Sequence, residues 1–157
     1  HITNETELIN AYHAIIVNSK RYDLNAEIRG VLVQELVAGG REVIVGMSHD
    51  PQFGPTIMFG LGGVFVEVLN DVSLRLAPVT RKDAKEMVKE VKGYKILEAF
   101  RGKPKADIGG IINTLLGISK LSTDLGDIVS EIDINPLVVF DEGKGVKAID
   151  ALVVLRS

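Results

Sequence analysis

The chain has 157 residues, of which 46% are apolar and 25% charged, with a formal net charge of −3 and no cysteine. That is long enough to bury the core of one domain or two small lobes, and the balance is that of a globular protein with no basic surface for nucleic acid or an anionic membrane. The lack of cysteine rules out disulfides and thiolate metal sites and fits an intracellular protein, and the longest apolar runs fall far short of a bilayer span.

The chain opens on His1, and "HITNETEL" runs straight into a helical pattern. It reads as the middle of a longer protein. Asn4 and Glu7 form a capping box ahead of "ETELINAYHAIIVNSKRY", where Leu8, Ala11, Tyr12, Ile15 and Ile16 make one stripe. "VLVQELV" (31–37) and "EVIVGMS" (42–48) read as two strands joined by "AGGR", a hairpin-length connection. "DPQFGP" is a turn by composition. "TIMFGLGGVFVEVL" is apolar and broken by Gly60, Gly62 and Gly63, and "SLRLAP" is a short strand. Thr80 and Asp83 cap the helix "RKDAKEMVKEV". After a charged transition, "DIGGIINTLLGISKL" reads as a buried helix weakened by its glycines. "EIDINPLVVF", the turn "DEGKG" and "VKAIDALVVL" close the chain. Antiparallel hairpins with covering helices predict an α+β fold.

The closing hairpin carries the strongest chemical signal. A loop of Asp141 to Lys144 pairs Phe140 with Gly145 and so puts Asn135 opposite Asp150. Asp133, Asn135 and Asp150 then converge on one side of the sheet and offer only oxygen ligands. That donor set describes a Mg²⁺–nucleotide site rather than zinc or copper. The same spacing describes a solvated polar face. Against that stands Asp150, set between Ile149 and "ALVVL", where an unpaired carboxylate is costly to bury. Glu35 and Glu42 flank the Gly-rich turn of the first hairpin. The backbone there can pair with an adenine edge and Glu42 can accept from ribose hydroxyls, although glutamate in a hairpin is more often simply solvated.

"GREVIVGMSHDPQFGPTIMFGLGGVFVEVLNDVSLRLAP" followed by "EIDINPLVV" resembles the ATP-grasp domain of the NDP-forming acyl-CoA synthetases. The nearest likeness is to the β subunits of ADP-forming acetate–CoA ligases, a largely archaeal group, with succinyl-CoA synthetase β subunits more distant. The resemblance runs over nearly the whole chain and implies the larger, C-terminal ATP-grasp lobe over residues 1–157, with the first lobe and its phosphate-binding lysine absent. It implies ATP/ADP and Mg²⁺ as ligands. Glu35, Leu36, Val37 and Ala38 would present the adenine-binding backbone, Glu42 would bind ribose, and Asn135 and Asp150 would hold Mg²⁺ with Asp133 near or through water. Arg75 and the Gly60–Gly63 loop would face the phosphates, though glycine in a tight turn explains that loop equally well. Glu67 reads as a solvated strand residue, His49 as an exposed loop histidine and His13 as structural.

The implied reaction is acyl-CoA + ADP + phosphate ⇌ acid + CoA + ATP, through a phosphohistidine relay. The acyl-CoA site and that histidine would belong to a CoA-binding α subunit or domain, in a cytoplasmic hetero-oligomer. Two other readings stand beside it: a catalytically degenerate ATP-grasp regulatory module, and a lobe serving subunit assembly through "TIMFGLGGVFVEVL".

Overall fold

Two β-rich runs on either side of a polar turn make the centre of the fold. In the computed structural model, which describes residues 1–62, 71–99, 102 and 104–156, β1 (Arg41–Asp50) pairs antiparallel with β2 (Gly54–Leu61), from Val43 opposite Leu61 to Asp50 opposite Gly54. Asp50 closes the turn: its Oδ1 accepts from the amides of Gln52 at 2.8 Å and Phe53 at 2.9 Å. The sequence-based hairpin between 31–37 and 42–48 is therefore corrected. Residues 31–37 form no strand, and the partner of 42–48 is β2. An alternating apolar run specifies a strand only where a neighbour completes its hydrogen bonds.

β3 (Val72–Leu76) adds to β2, and β4 (Val129–Val139) pairs with the other side of β1. The outer edge of β4 is covered by β5 (Val146–Ala148) and β6 (Ala151–Leu155). The sheet order is β3-β2-β1-β4-β5, with β6 also on β4. Pro136 does not end its strand. Between the Val43–Leu137 and Val45–Ile134 pairs β4 has one residue more than β1, and this bulge absorbs the Asn135–Pro136 step.

Alternation then divides the sheet. Val43, Val45, Met47, Ile57, Phe59 and Leu137 face the core. Two helices cover that side: α2 (Arg81–Glu90), which buries Ala84, Met87 and Val88, and α3 (Ile108–Asp124), which buries Ile111, Leu115 and Ile118. Each such aliphatic side chain contributes about 1.5–3 kcal/mol. The Thr80–Asp83 capping box forms at the start of α2. Asp107 caps α3 through Oδ1 to the Gly110 amide at 2.8 Å, and its Oδ2 accepts from the amides of Gly143 and Gly145 in the β4–β5 turn.

The chain divides into two compact units, His1–Ala38 and Gly39–Ser157. The first contains α1 (Glu5–Tyr22), none of whose residues is buried. Its expected capping box forms by half. Asn4 accepts from the Glu7 amide, but the Glu7 carboxylate takes the amide and hydroxyl of Thr3. The sheet and its core belong to the second unit.

Candidate nucleotide and metal site

The side of the sheet away from the helices carries the acids. Phe140 donates its amide to Gly145 O at 3.1 Å, so the closing loop is Asp141–Lys144. Ile134 pairs with Ala151, and the Asn135 amide donates to Asp150 O at 3.2 Å. Asn135 thus lies opposite Asp150. Asp133, two residues along β4 and opposite Gly46 and Leu152, takes the same face. Register puts Asp133 and Asn135 on one side of the sheet, with Asn135 opposite Asp150; Asp150 itself lies just before β6 and is exposed, not buried as its apolar neighbours in the sequence suggest.

Asp133 is the unusual member. Its Oδ1 is buried and has no hydrogen-bond partner. Burial pushes its carboxyl above the usual range, and the charges of Glu131 and Asp150 push the same way. Gly46 lies across from it: a Cβ there would clash with Ile132 O at 2.9 Å and would come within ordinary contact, 3.7 Å, of that oxygen. A cavity of about 350 Å³ opens at this point, with Ile44, Met58 and Leu74 beside Asp133 and Asn135.

The donor set fits a hard cation, since every ligand it offers is oxygen and one carboxylate oxygen lacks a partner. Among the described residues no three Asp, Glu or His side chains gather into a closed cage. A cation held here would complete its shell with water or phosphate oxygens, as Mg²⁺ does.

One row further along β1, Glu42 stands opposite Val138, and its carbonyl accepts from the Gly62 amide at 2.9 Å. Glu42 and Gly62 line a second cavity of about 290 Å³ with Gly40, Arg41 and Leu61.

The ATP-grasp domain family matches residues 1–155. The chain belongs to the ATP-grasp family. Among its relatives is the β subunit of acetate–CoA ligase (ADP-forming) II of Pyrococcus furiosus, 46% identical over 100% of this chain and 66% of the relative. Acetate–CoA ligase (ADP-forming) I of Archaeoglobus fulgidus is 54% identical over 142 residues, 90% of this chain but 21% of the relative. The dinucleotide-forming acetyl-coenzyme A synthetase 1 of Ca. Korarchaeum cryptofilum superposes with a TM-score of 0.84 at 42% identity, over 99% of this chain and 66% of that one. That structure holds coenzyme A and Mg-AMPPCP, with its phosphohistidine segment pointing towards the nucleotide-binding site. The chain therefore spans just under two thirds of the β subunit and about a fifth of the longer ligase.

Of the other expected site residues of this ATP-grasp chain, Arg75 lies elsewhere in the sheet. Arg75 pairs with Ile57 on the helix-covered face. Its guanidinium bonds Glu90 of α2, which holds the arginine above its usual range. The open face at that edge belongs instead to Leu74 and Leu76, 53% and 52% exposed. The structure does not bring Arg75 to the acids. Glu35, Leu36, Val37 and Ala38 belong to the first unit, where the chain forms no regular strand. His49 is in β1 opposite Pro55 rather than in a loop, and His13 is exposed on α1. Gly63 and Glu67 lie outside the described residues.

Sequence reading missed Arg41. Its side chain is 9% exposed, and it donates from Nε to Ile96 O at 2.8 Å and from a second nitrogen to Pro104 O. A third lies 3.8 Å from Asp141. These contacts anchor the start of the strand that carries Glu42. The partners lie 55 to 100 positions away (Ile96, Pro104, Asp141), so no local pattern announces them.

Proposed function

We propose that this ATP-grasp chain is the nucleotide- and magnesium-binding part of an ADP-forming acyl-CoA ligase. The reaction is acyl-CoA + ADP + phosphate ⇌ acid + CoA + ATP, with a phosphohistidine carrying phosphate from a CoA-binding α subunit or domain in a cytoplasmic hetero-oligomer. The observation that carries the reading is the cross-strand pair of Asn135 and Asp150, with the partnerless oxygen of Asp133 on the same face. The Ca. Korarchaeum cryptofilum relative supports the reading, since it holds Mg-AMPPCP with a phosphohistidine segment pointing towards the nucleotide-binding site.

Asn135 and Asp150 hold the metal, with Asp133 beside it or joined through water. Bound there, Mg²⁺ supplies positive charge against the phosphate oxygens of the nucleotide. Glu42 accepts from the ribose hydroxyls. The backbone of Glu35, Leu36, Val37 and Ala38 meets the adenine edge. Arg75, bonded to Glu90, serves the sheet edge rather than the phosphates. The chain's own work is positioning: phosphoryl transfer asks the protein for alignment and charge balance more than for covalent chemistry.

The test is calorimetric titration of ADP, with and without Mg²⁺, into the full-length protein and its Asp150→Ala variant. Magnesium should tighten ADP binding in the parent, and Asp150→Ala should remove at least tenfold of that gain, about 1.4 kcal/mol, while the melting temperature holds. Equal binding with and without metal in the parent would overturn the proposal in favour of an assembly or regulatory module.

A further inference from the structure

The glycines at positions 60, 62 and 63 interrupt an apolar run without forming a phosphate-loop pattern, and the proposed function gives them no task. The geometry at Gly62 supplies one. Gly62 follows the end of β2 and donates its amide to Glu42 O at 2.9 Å. A Cβ on Gly62 would lie 2.9 Å from the Cβ of Glu42, 3.0 Å from its carbonyl carbon and 3.0 Å from its carbonyl oxygen. Two of those three atoms are backbone and cannot swing aside. The backbone of Gly62 is not in the left-handed region, so glycine is required here by the neighbour and not by the turn. Both residues line the same cavity of about 290 Å³, and an added side chain at 62 would crowd Glu42 at its Cβ.

Glu42 has little freedom to retreat. The strand is fixed just before it by Arg41, whose guanidinium is bonded to the carbonyls of Ile96 and Pro104. Its cross-strand neighbour on the other side is Val138, 5% exposed. With Val138 on one side and the backbone held by Arg41, Gly62 leaves the Cβ of Glu42 unobstructed on the other.

We infer that Gly62 is a positioning residue for nucleotide recognition: by lacking a side chain it sets the direction of the Glu42 carboxylate towards the ribose of the bound nucleotide. This rests on the reading of Glu42 as the ribose acceptor. A group that accepts from a ribose hydroxyl discriminates against a nucleotide lacking it, because the acceptor is then left unpaired.

The experiment compares ADP with 2′-deoxy-ADP and 3′-deoxy-ADP as substrates of the full-length, partner-assembled enzyme, in the parent, Glu42→Gln, Gly62→Ala and the double variant. The expected result is a parent preference for ADP of tenfold or more in kcat/KM over at least one deoxynucleotide. Each single variant should lose most of that preference, through KM rather than kcat. The double variant should lose no more than either single one. A merely structural glycine would lower the melting temperature and leave the preference untouched. If Glu42→Gln keeps the preference, the ribose reading falls and takes this inference with it. If Glu42→Gln loses it and Gly62→Ala keeps it, the ribose reading stands and the positioning role is overturned. Should Gly62→Ala fail to fold, a crystal structure of the parent enzyme with ADP decides: a Glu42 carboxylate that passes over Gly62 to a ribose hydroxyl supports the positioning role, and one that reaches the ribose without touching Gly62 overturns it.

Discussion

Asp133 is placed where a carboxylate is unwelcome. One oxygen is out of water without a donor, and Glu131 and Asp150 add like charge. A group held that way costs stability unless something binds it. Its neighbours do nothing to relieve it, and the strand opposite offers a glycine, Gly46, with no side chain to donate. Asp133→Asn keeps the shape and removes the charge. It should raise the melting temperature of the metal-free protein near neutral pH, and should weaken Mn²⁺ binding followed by electron paramagnetic resonance. A lower melting temperature with unchanged metal affinity would return Asp133 to an ordinary structural role. Arg75 shows the opposite case, a charge fully answered by Glu90 and Leu74 O. Only the family resemblance placed it at the phosphates. The parity of β3 sends it to the covered face instead.

At the scale of elements, Asp107 joins the start of α3 to the β4–β5 turn, and its three amide bonds hold its carboxyl below the usual range. The folded state therefore binds a proton there less readily than the unfolded chain does. The stabilisation is complete above the ordinary carboxylate range and is lost as pH falls through it, from about pH 4 downward. Asp107→Asn keeps the α3 cap but leaves the Gly143 and Gly145 amides without an acceptor; it should cost about 1–2 kcal/mol near neutral pH, read as a lower midpoint in urea, and the difference should close in acid. A difference that stays constant down to low pH would separate the cap from its charge. Asp107 was not read from the sequence, but two other local devices were. The Thr80–Asp83 box and the four-residue loop that sets Asn135 opposite Asp150 depend on residues close together in the chain. The strand at 31–37 was misread because alternation announces a strand without naming its partner. Arg41, Gly46 and Gly62 were not legible because each is defined by an atom on a strand or loop distant in sequence: Pro104 O, Ile132 O and the Cβ of Glu42.

At the scale of the whole chain, the two units differ in what holds them. The second has a continuous core drawn from β1, β2, β4, α2 and α3. The first has a helix of 18 residues with no buried residue, and its stripe of Leu8, Tyr12 and Ile15 is 40–46% exposed. A helix of that length is marginal in water without packing on an apolar face. Caps help: Asn4 receives the Glu7 amide, Glu5 and Glu7 lie in the first turn, and Lys20 and Arg21 in the last. They add tenths of a kcal/mol to about 1 kcal/mol each, too little to replace a core. Hydrogen exchange read by mass spectrometry on this 157-residue chain should therefore show α1 amides exchanging orders of magnitude faster than those of β1, β2 and β4. In the P. furiosus β subunit, of which this chain spans 66%, the equivalent helix should be protected if the remaining third supplies the cover its stripe lacks. Fast exchange there too would mean that the cover comes from a partner subunit, and adding that partner should then slow it.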